Sequence, residues 1–260
     1  MALSPAMRRG YPKRMNSILS FRGAGLAYRF QAGAAPVVVF LPGYMSDMTG
    51  TKAEALAGWA QARGQAFLRL DYSGCGASGG DFLDGSIARW TEDVLALIDH
   101  VAPQGRVVLV GSSMGGWVAL RAGLALGGRL GGLVGIAAAP DFTDWGLALT
   151  NEDHAALQTR GWFTRASGYG GDYRYSRALM DGAAAARVMG GPIGIAAPVR
   201  LLHGQNDDAV PWRLSLDVAE RLRSVDVQVI LIKDGDHRLS RPADLAVLVR
   251  TVATLAGEVE

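Results

Sequence analysis

Gly111-Ser112-Ser113-Met114-Gly115 has the spacing of a turn that presents a serine as a nucleophile. The apolar run Val107–Val110 comes just before it and the helix-compatible run Trp117–Leu126 just after, so the chain passes from strand to helix at the serine. A hydroxyl held at a strained backbone angle needs neighbours two residues away that carry no side chain. Ser113 has glycine at both of those positions, and Ser112 does not. A serine hydroxyl is a poor nucleophile near neutral pH. The reading therefore demands a base to take its proton and an acid to hold the base.

In the chain order that such turns use, Ser then acid then His, the base comes last. The chain has 4 histidines. His100 lies off the apolar stripe of its helix, near the C-terminus, and reads as a surface residue. His154 falls in a segment with no strand end to position it. His203 closes an apolar run and precedes Gly204, which suits a structural hydrogen-bonding role. His237 follows the run Val227–Ile232 through Lys233-Asp-Gly-Asp and alone has the required place. For the acid, the stretch from His203 to Pro211 follows Val199–Leu202 and offers Asp207 and Asp208, with Asp141 and Asp144 as rivals after Leu133–Ala137. The acid's task is to fix the imidazole tautomer and stabilise the imidazolium. Two backbone N–H groups must then hold the oxyanion, one from Met114 and one from Tyr44 in Leu41-Pro42-Gly43-Tyr44-Met45. Gly43 lets the backbone approach there, and Pro42 presets the turn.

Two other stretches imitate ligand motifs. Gly74-Cys-Gly76-Ala-Ser-Gly79 formally matches a dinucleotide loop, but the helical stripe begins only at Ile87 instead of at the glycines. The segment Gly43 to Lys52 has the wrong glycine spacing for a phosphate loop. Cys75 has no activating partner in sequence and reads as a packed thiol. No His, Asp, Glu or Cys spacing suggests a metal. No cofactor is expected.

Eight apolar runs must carry this chemistry. Ile18–Phe21 and Leu26–Phe30 flank Arg22-Gly-Ala-Gly25 as a hairpin, and Val37–Leu41, Ala66–Leu70, Val107–Val110, Leu133–Ala137, Val199–Leu202 and Val227–Ile232 read as buried strands. Helical stripes lie between them, for example Ile87, Trp90, Val94, Leu97, Ile98 and Val101, and later Leu245, Leu248, Val249, Val252 and Leu255. Strands alternating with helices predict an α/β fold, an eight-stranded, mostly parallel sheet with helices on both faces. The stretch 141–197 shows no buried strand yet holds several large aromatics, Tyr169 among them. A structureless loop of that length is improbable in a compact domain, so an inserted, largely helical cap over a core of 1–140 and 198–260 is expected. Part of its rings serve the cap's own packing. Trp145, Trp162 and Phe163, above Gly43 and Met45, are expected to wall an apolar channel for an acyl chain.

Composition narrows the partners. The 260 residues carry a net charge of +2, with 26 basic and 24 acidic side chains, and show no basic stripe for nucleic acid. No apolar run approaches a membrane span, so no stable anchor is expected. One cysteine permits no internal disulfide. The first acidic residue is Asp47, after Arg8, Arg9, Lys13, Arg14, Arg22 and Arg29. A solvated basic arm is the expected reading, with an organelle-targeting leader as the alternative.

Five stretches together resemble the α/β-hydrolase superfamily across essentially the whole chain. They are Leu-Pro-Gly-Tyr-Met-Ser-Asp-Met-Thr-Gly-Thr-Lys at 41–52, Asp-Tyr-Ser-Gly-Cys-Gly-Ala-Ser-Gly-Gly at 71–80 and Gly-Ser-Ser-Met-Gly-Gly-Trp at 111–117. His-Gly-Gln-Asn-Asp-Asp-Ala-Val-Pro-Trp at 203–212 and Asp-His-Arg-Leu at 236–239 complete the set. The similarity is closest to the mitochondrial palmitoyl-protein thioesterase and acyl-glucuronide esterase branch. It implies Ser113 as nucleophile, Asp207 as acid and His237 as base. It also implies hydrolysis of fatty-acyl thioesters and carboxylic esters, the substrate being a small acyl ester or thioester or an S-acylated protein. The short, serine-poor leader favours a bacterial cytoplasmic relative over a mitochondrial one. A small-acid or acyl-glucuronide esterase, an acyltransferase or peptidase on the same residues, and a receptor that keeps the fold without catalysis are the alternatives.

Overall fold

A computed structural model describes residues 16–167 and 171–257. The basic residues Arg8, Arg9, Lys13 and Arg14 and the cap residue Tyr169 lie outside the described residues. In chain order, β1 (Ser17–Phe21) and β2 (Ala24–Gln31) form the expected hairpin. There follow β3 (Ala34–Leu41), α1 (Thr51–Arg63), β4 (Gln65–Leu70), α2 (Ile87–Val101), β5 (Val107–Ser112), α3 (Met114–Leu126) and β6 (Leu130–Ile136). The chain then leaves the sheet as α4 (Phe142–Trp145), α5 (Asn151–Thr159), β7 (Trp162–Ala166), β8 (Asp172–Ser176) and α6 (Arg177–Ala186). It returns through β9 (Val199–Gly204), α7 (Arg213–Arg221), β10 (Val227–Ile232) and α8 (Pro242–Gly257).

The sheet has eight strands in the order β1-β2-β4-β3-β5-β6-β9-β10. Pairing is parallel from β4 through β10 and antiparallel at β1–β2 and β2–β4. Every residue of β5, β6 and β9 is buried, as strands covered on both faces require. One face packs Trp90, Leu97, Trp117 and Val118 of α2 and α3. The other packs Leu56 and Ala60 of α1 against Leu248 and Val252 of α8. The C-terminal ends of β3, β5, β9 and β10 converge on one edge, and the loops leaving them carry Tyr44, Ser113, Asp207 and His237.

The excursion between β6 and β9 carries the helices α4, α5 and α6 and adds a hairpin not expected from the sequence. β7 and β8 form an antiparallel hairpin, Phe163 facing Tyr175 in register, and both rings are buried. The alternation of Tyr173 and Tyr175 around Arg174 is a strand period, but in five residues it is too short to stand out from a helical background. At its base the excursion is tied down twice. Asp141 accepts the Val188 and Met189 amides at 3.0 and 2.8 Å, and Trp117 Nε1 donates to the Ala186 carbonyl at 2.9 Å.

Candidate active site

Ser113 sits between the last residue of β5 and the first of α3 with φ 55° and ψ −121°. The backbone holds that conformation from both sides. Ser113 N donates to the Ile136 carbonyl at 2.9 Å, and the Ser113 carbonyl accepts Gly116 N at 2.8 Å and Ala139 N at 3.1 Å. The flanking glycines are steric necessities. A Cβ at Gly111 would stand 2.2 Å from the Gly115 carbonyl oxygen, and one at Gly115 would stand 2.3 Å from that of Leu41. Strain at a single residue persists only where surroundings over-determine it. Here β3, β5 and β6 all take part.

His237 Nε2 lies 3.2 Å from Ser113 Oγ, and His237 Nδ1 lies 2.8 Å from Asp207 Oδ2. The Asp207 side chain is wholly buried, and that of His237 is 14% exposed. Asp207 Oδ1 accepts Ala209 N at 2.9 Å and Val210 N at 2.7 Å. Burial by itself would raise the pKa of Asp207. The hydrogen bonds from His203 and His237 outweigh it and hold the carboxyl well below the usual carboxylate range. An ionised Asp207 favours the proton on His237 Nδ1, which makes Nε2 the nitrogen that can accept from Ser113. Such an array can pass a proton from serine to imidazole while the oxygen attacks an acyl carbon.

The loop after β3 is built to be rigid. Ser46 N closes a turn onto the Gly43 carbonyl at 3.1 Å, and Met45 takes φ 52°. Further on, Met48 N donates to Asp71 Oδ1 at 2.7 Å, while Arg69 Nη1 donates to the Met48 carbonyl at 3.1 Å. The Tyr44 side chain is firmly held. Its ring stacks on Tyr175 at 5.2 Å, meets Phe82, Phe142 and Tyr173 edge-on or tilted, and its hydroxyl donates to the Arg174 carbonyl. Met45 adds a sulfur that accepts Arg174 N. Both side chains therefore join this loop to β8.

A cavity of about 400 Å³ opens over Ser113, His237 and Met114, within the range of small-molecule sites. Gly43, Tyr44, Met45 and Trp145 line it as expected. Trp162 and Phe163 do not. Phe163 is buried against Tyr175 at 5.2 Å, and Trp162 lies under the Arg160 guanidinium at 4.4 Å, so both serve the hairpin's own packing. The rings that take their place are Phe142, Tyr173 and Tyr175. Polar residues line it too, Lys52 and Arg238 among them, and their only sequence signal is their neighbourhood to Gly43 and His237. Burial first, then the nearby Arg238, lowers the Lys52 pKa to about 8.

The rival acids have other work. Asp141 is engaged by the Val188 and Met189 amides, Asp144 pairs with Arg187 at 2.6 Å, and Asp208 is exposed. His154 is exposed, and exposed His100 meets the Tyr28 hydroxyl at 3.0 Å. In the glycine-rich stretch after β4, a Cβ at Gly76 would stand 2.3 Å from the Asp71 carboxylate, so the loop wraps a carboxylate and leaves no cradle for a phosphate. Burial, with Asp71 and Asp93 nearby, pushes the Cys75 thiol up to about 12. Among the described residues no group of three His, Cys, Asp or Glu side chains could hold a metal ion.

A model of the alpha/beta hydrolase family matches residues 38–248. The mitochondrial palmitoyl-protein thioesterase ABHD10 of Mus musculus is 41% identical over 234 residues, which is 88% of this chain and 78% of the relative. The solved structure of alpha/beta hydrolase domain-containing protein 10 from mouse has a TM-score of 0.85 at 38% identity, covering 94% of this chain and 99% of that one. A crystal structure of an Agrobacterium vitis S4 protein has a TM-score of 0.86 at 40% identity, covering 93% and 97%.

Proposed function

The chain belongs to the alpha/beta hydrolase family and is a hydrolase, and from that premise we propose that it cleaves fatty-acyl thioesters and esters by acyl transfer through Ser113. Ser113 attacks the acyl carbonyl, and His237 takes its proton and returns it to the leaving thiol or alcohol. His237 next draws a proton from the water that attacks the acyl-enzyme and passes it to Ser113 Oγ as the acid leaves. Asp207 stays ionised throughout and holds the imidazole. The Tyr44 and Met114 amides stabilise the oxyanion. Residues 141–197 act as a cap whose Phe142, Trp145 and Tyr173 receive the acyl chain.

The observation that carries this reading is the contact series Ser113–His237–Asp207, at 3.2 and 2.8 Å, opening into a cavity walled by aromatic rings on the cap side. Thioesterase chemistry has the support of the mouse relative's name at 41% identity. The polar lining of Ser46, Asp47, Thr51, Lys52 and Arg238 favours a second reading for the leaving group, a hydroxylated or charged alcohol in place of a simple thiol. That relative is named mitochondrial, which supports a mitochondrial address over the cytoplasmic one expected from the leader.

A fluorophosphonate probe tests the nucleophile. Mass mapping should place the adduct on Ser113 alone, and Ser113→Ala should abolish it. An unlabelled native protein would point to a receptor without catalysis, and an adduct on another residue would move the nucleophile.

A further inference from the structure

Asp207 is held by more donors than a simple relay needs. Its Oδ1 accepts two backbone amides and its Oδ2 accepts His237 Nδ1. A second imidazole, that of His203 in β9, brings Nε2 to within 3.1 Å of the same Oδ2. His203 is wholly buried. Its Nε2 also lies 3.1 Å from the Val210 carbonyl oxygen. Neither a carboxylate nor a carbonyl can donate, so the ring proton belongs on Nε2. Nδ1 is then an acceptor, and buried Ser215 of α7 meets it with Oγ at 2.7 Å.

From this geometry we infer that His203 is a positioning residue for the acid, sharing Asp207 Oδ2 with His237, its own ring held in place by Ser215. The inference rests on the roles of Ser113, His237 and Asp207 proposed above. Two consequences follow. The carboxylate cannot rotate away from His237, because Oδ1 is pinned by amides and Oδ2 by a ring on each side. The second N–H also draws charge from Oδ2, so His237 sees a weaker anion than a carboxylate bound by one imidazole would present. The largest charge-bearing influences on this carboxylate are these two imidazoles, one from β9 and one from the loop after β10.

The test compares His203→Gln, whose amide can still donate near the Nε2 position, with His203→Leu, which cannot. For the Leu variant kcat should fall roughly 10–100-fold at unchanged KM, the size of loss that follows when the partner orienting a metal-bound imidazole is removed. The acid limb of its kcat/KM profile should also move to higher pH, because a stronger anion favours the imidazolium. The Gln variant should recover most of the rate and keep the wild-type limb. Wild-type kcat and limb in the Leu variant would overturn the inference, as would equal losses in both variants with unmoved limbs. Should the Leu variant fail to fold, Ser215→Ala decides: a shifted limb supports the role, and an unchanged rate and limb removes it. Ser113→Ala separates this from the underlying reading. If that variant keeps activity, the proposed nucleophile is wrong. If it is inactive while His203→Leu is normal, only His203 is misassigned.

Discussion

Three side chains from three different loops act as one device if the proposed roles hold. Removing any one breaks the same proton path, so losses should not add. Ser113→Ala and His237→Ala should each lower kcat by roughly 10⁴–10⁶, and the double variant by little more. Independent losses in the double variant would mean that the two do not share a step. Asp207→Asn should be far more damaging than Asp208→Asn, because only the former presents an amide to His237 Nδ1 and invites the wrong tautomer. Steady-state kinetics on the two variants would reveal the order directly. Cys75 offers a different residue-level test. Its thiol pKa rises from an ordinary 9.0 to about 12, mainly by burial and then by Asp71 and Asp93. The folded state thus prefers the protonated thiol, which contributes stability below pH 9 and loses it as the pH climbs toward 12. Melting temperature should therefore fall more steeply across that window for the wild type than for Cys75→Ala. Parallel curves would show that the thiol titrates alike in both states.

Elements set the geometry through close backbone approach. Gly115 lets α3 touch the end of β3, with a would-be Cβ 2.3 Å from the Leu41 oxygen and 2.5 Å from that of Pro42. Both neighbours are backbone and cannot swing aside. Gly115→Ala should cost about 1–3 kcal/mol as an overpacked contact and depress activity by shifting the Tyr44 loop against Ser113. Gly58 in α1 has nothing within 4 Å of its would-be Cβ. Gly58→Ala should stabilise by about 0.5–1 kcal/mol through backbone entropy and leave activity unchanged. Chemical denaturation of the pair would distinguish them by sign. The elements themselves were legible where burial on both faces produced unbroken apolar runs, as in Val107–Val110 before the serine. They were illegible where one face is polar. β8 alternates rings with an arginine, and counting the hairpin's aromatics without assigning faces sent Trp162 and Phe163 to the cavity. In the site, glycine spacing and chain order made Ser113 and His237 readable. The His203 contact was hidden, because four residues separate it from Asp207 across a strand end whose turn sequence alone does not fix.

At the scale of the molecule, the cavity lies where the excursion after β6 meets the C-terminal edge of the sheet. Tyr44 and Met45 couple the two through Arg174, so the loop after β3 and the hairpin of the excursion share contacts. No helix among the described residues is long and apolar enough to cross a membrane. If the cavity receives the acyl chain as proposed, each methylene buried there contributes about 0.8 kcal/mol, close to fourfold in affinity. Six methylenes fully buried would amount to on the order of 10³. The most direct test of fatty-acyl cleavage at Ser113 is kcat/KM over a series of straight-chain acyl thioesters, from two carbons upward and below their micelle limits, for wild type and Ser113→Ala. The expected result is a rise of orders of magnitude between two and eight carbons in the wild type and no turnover at any length in the variant. A profile flat or falling from acetyl onward, or turnover that survives without the serine, would contradict it.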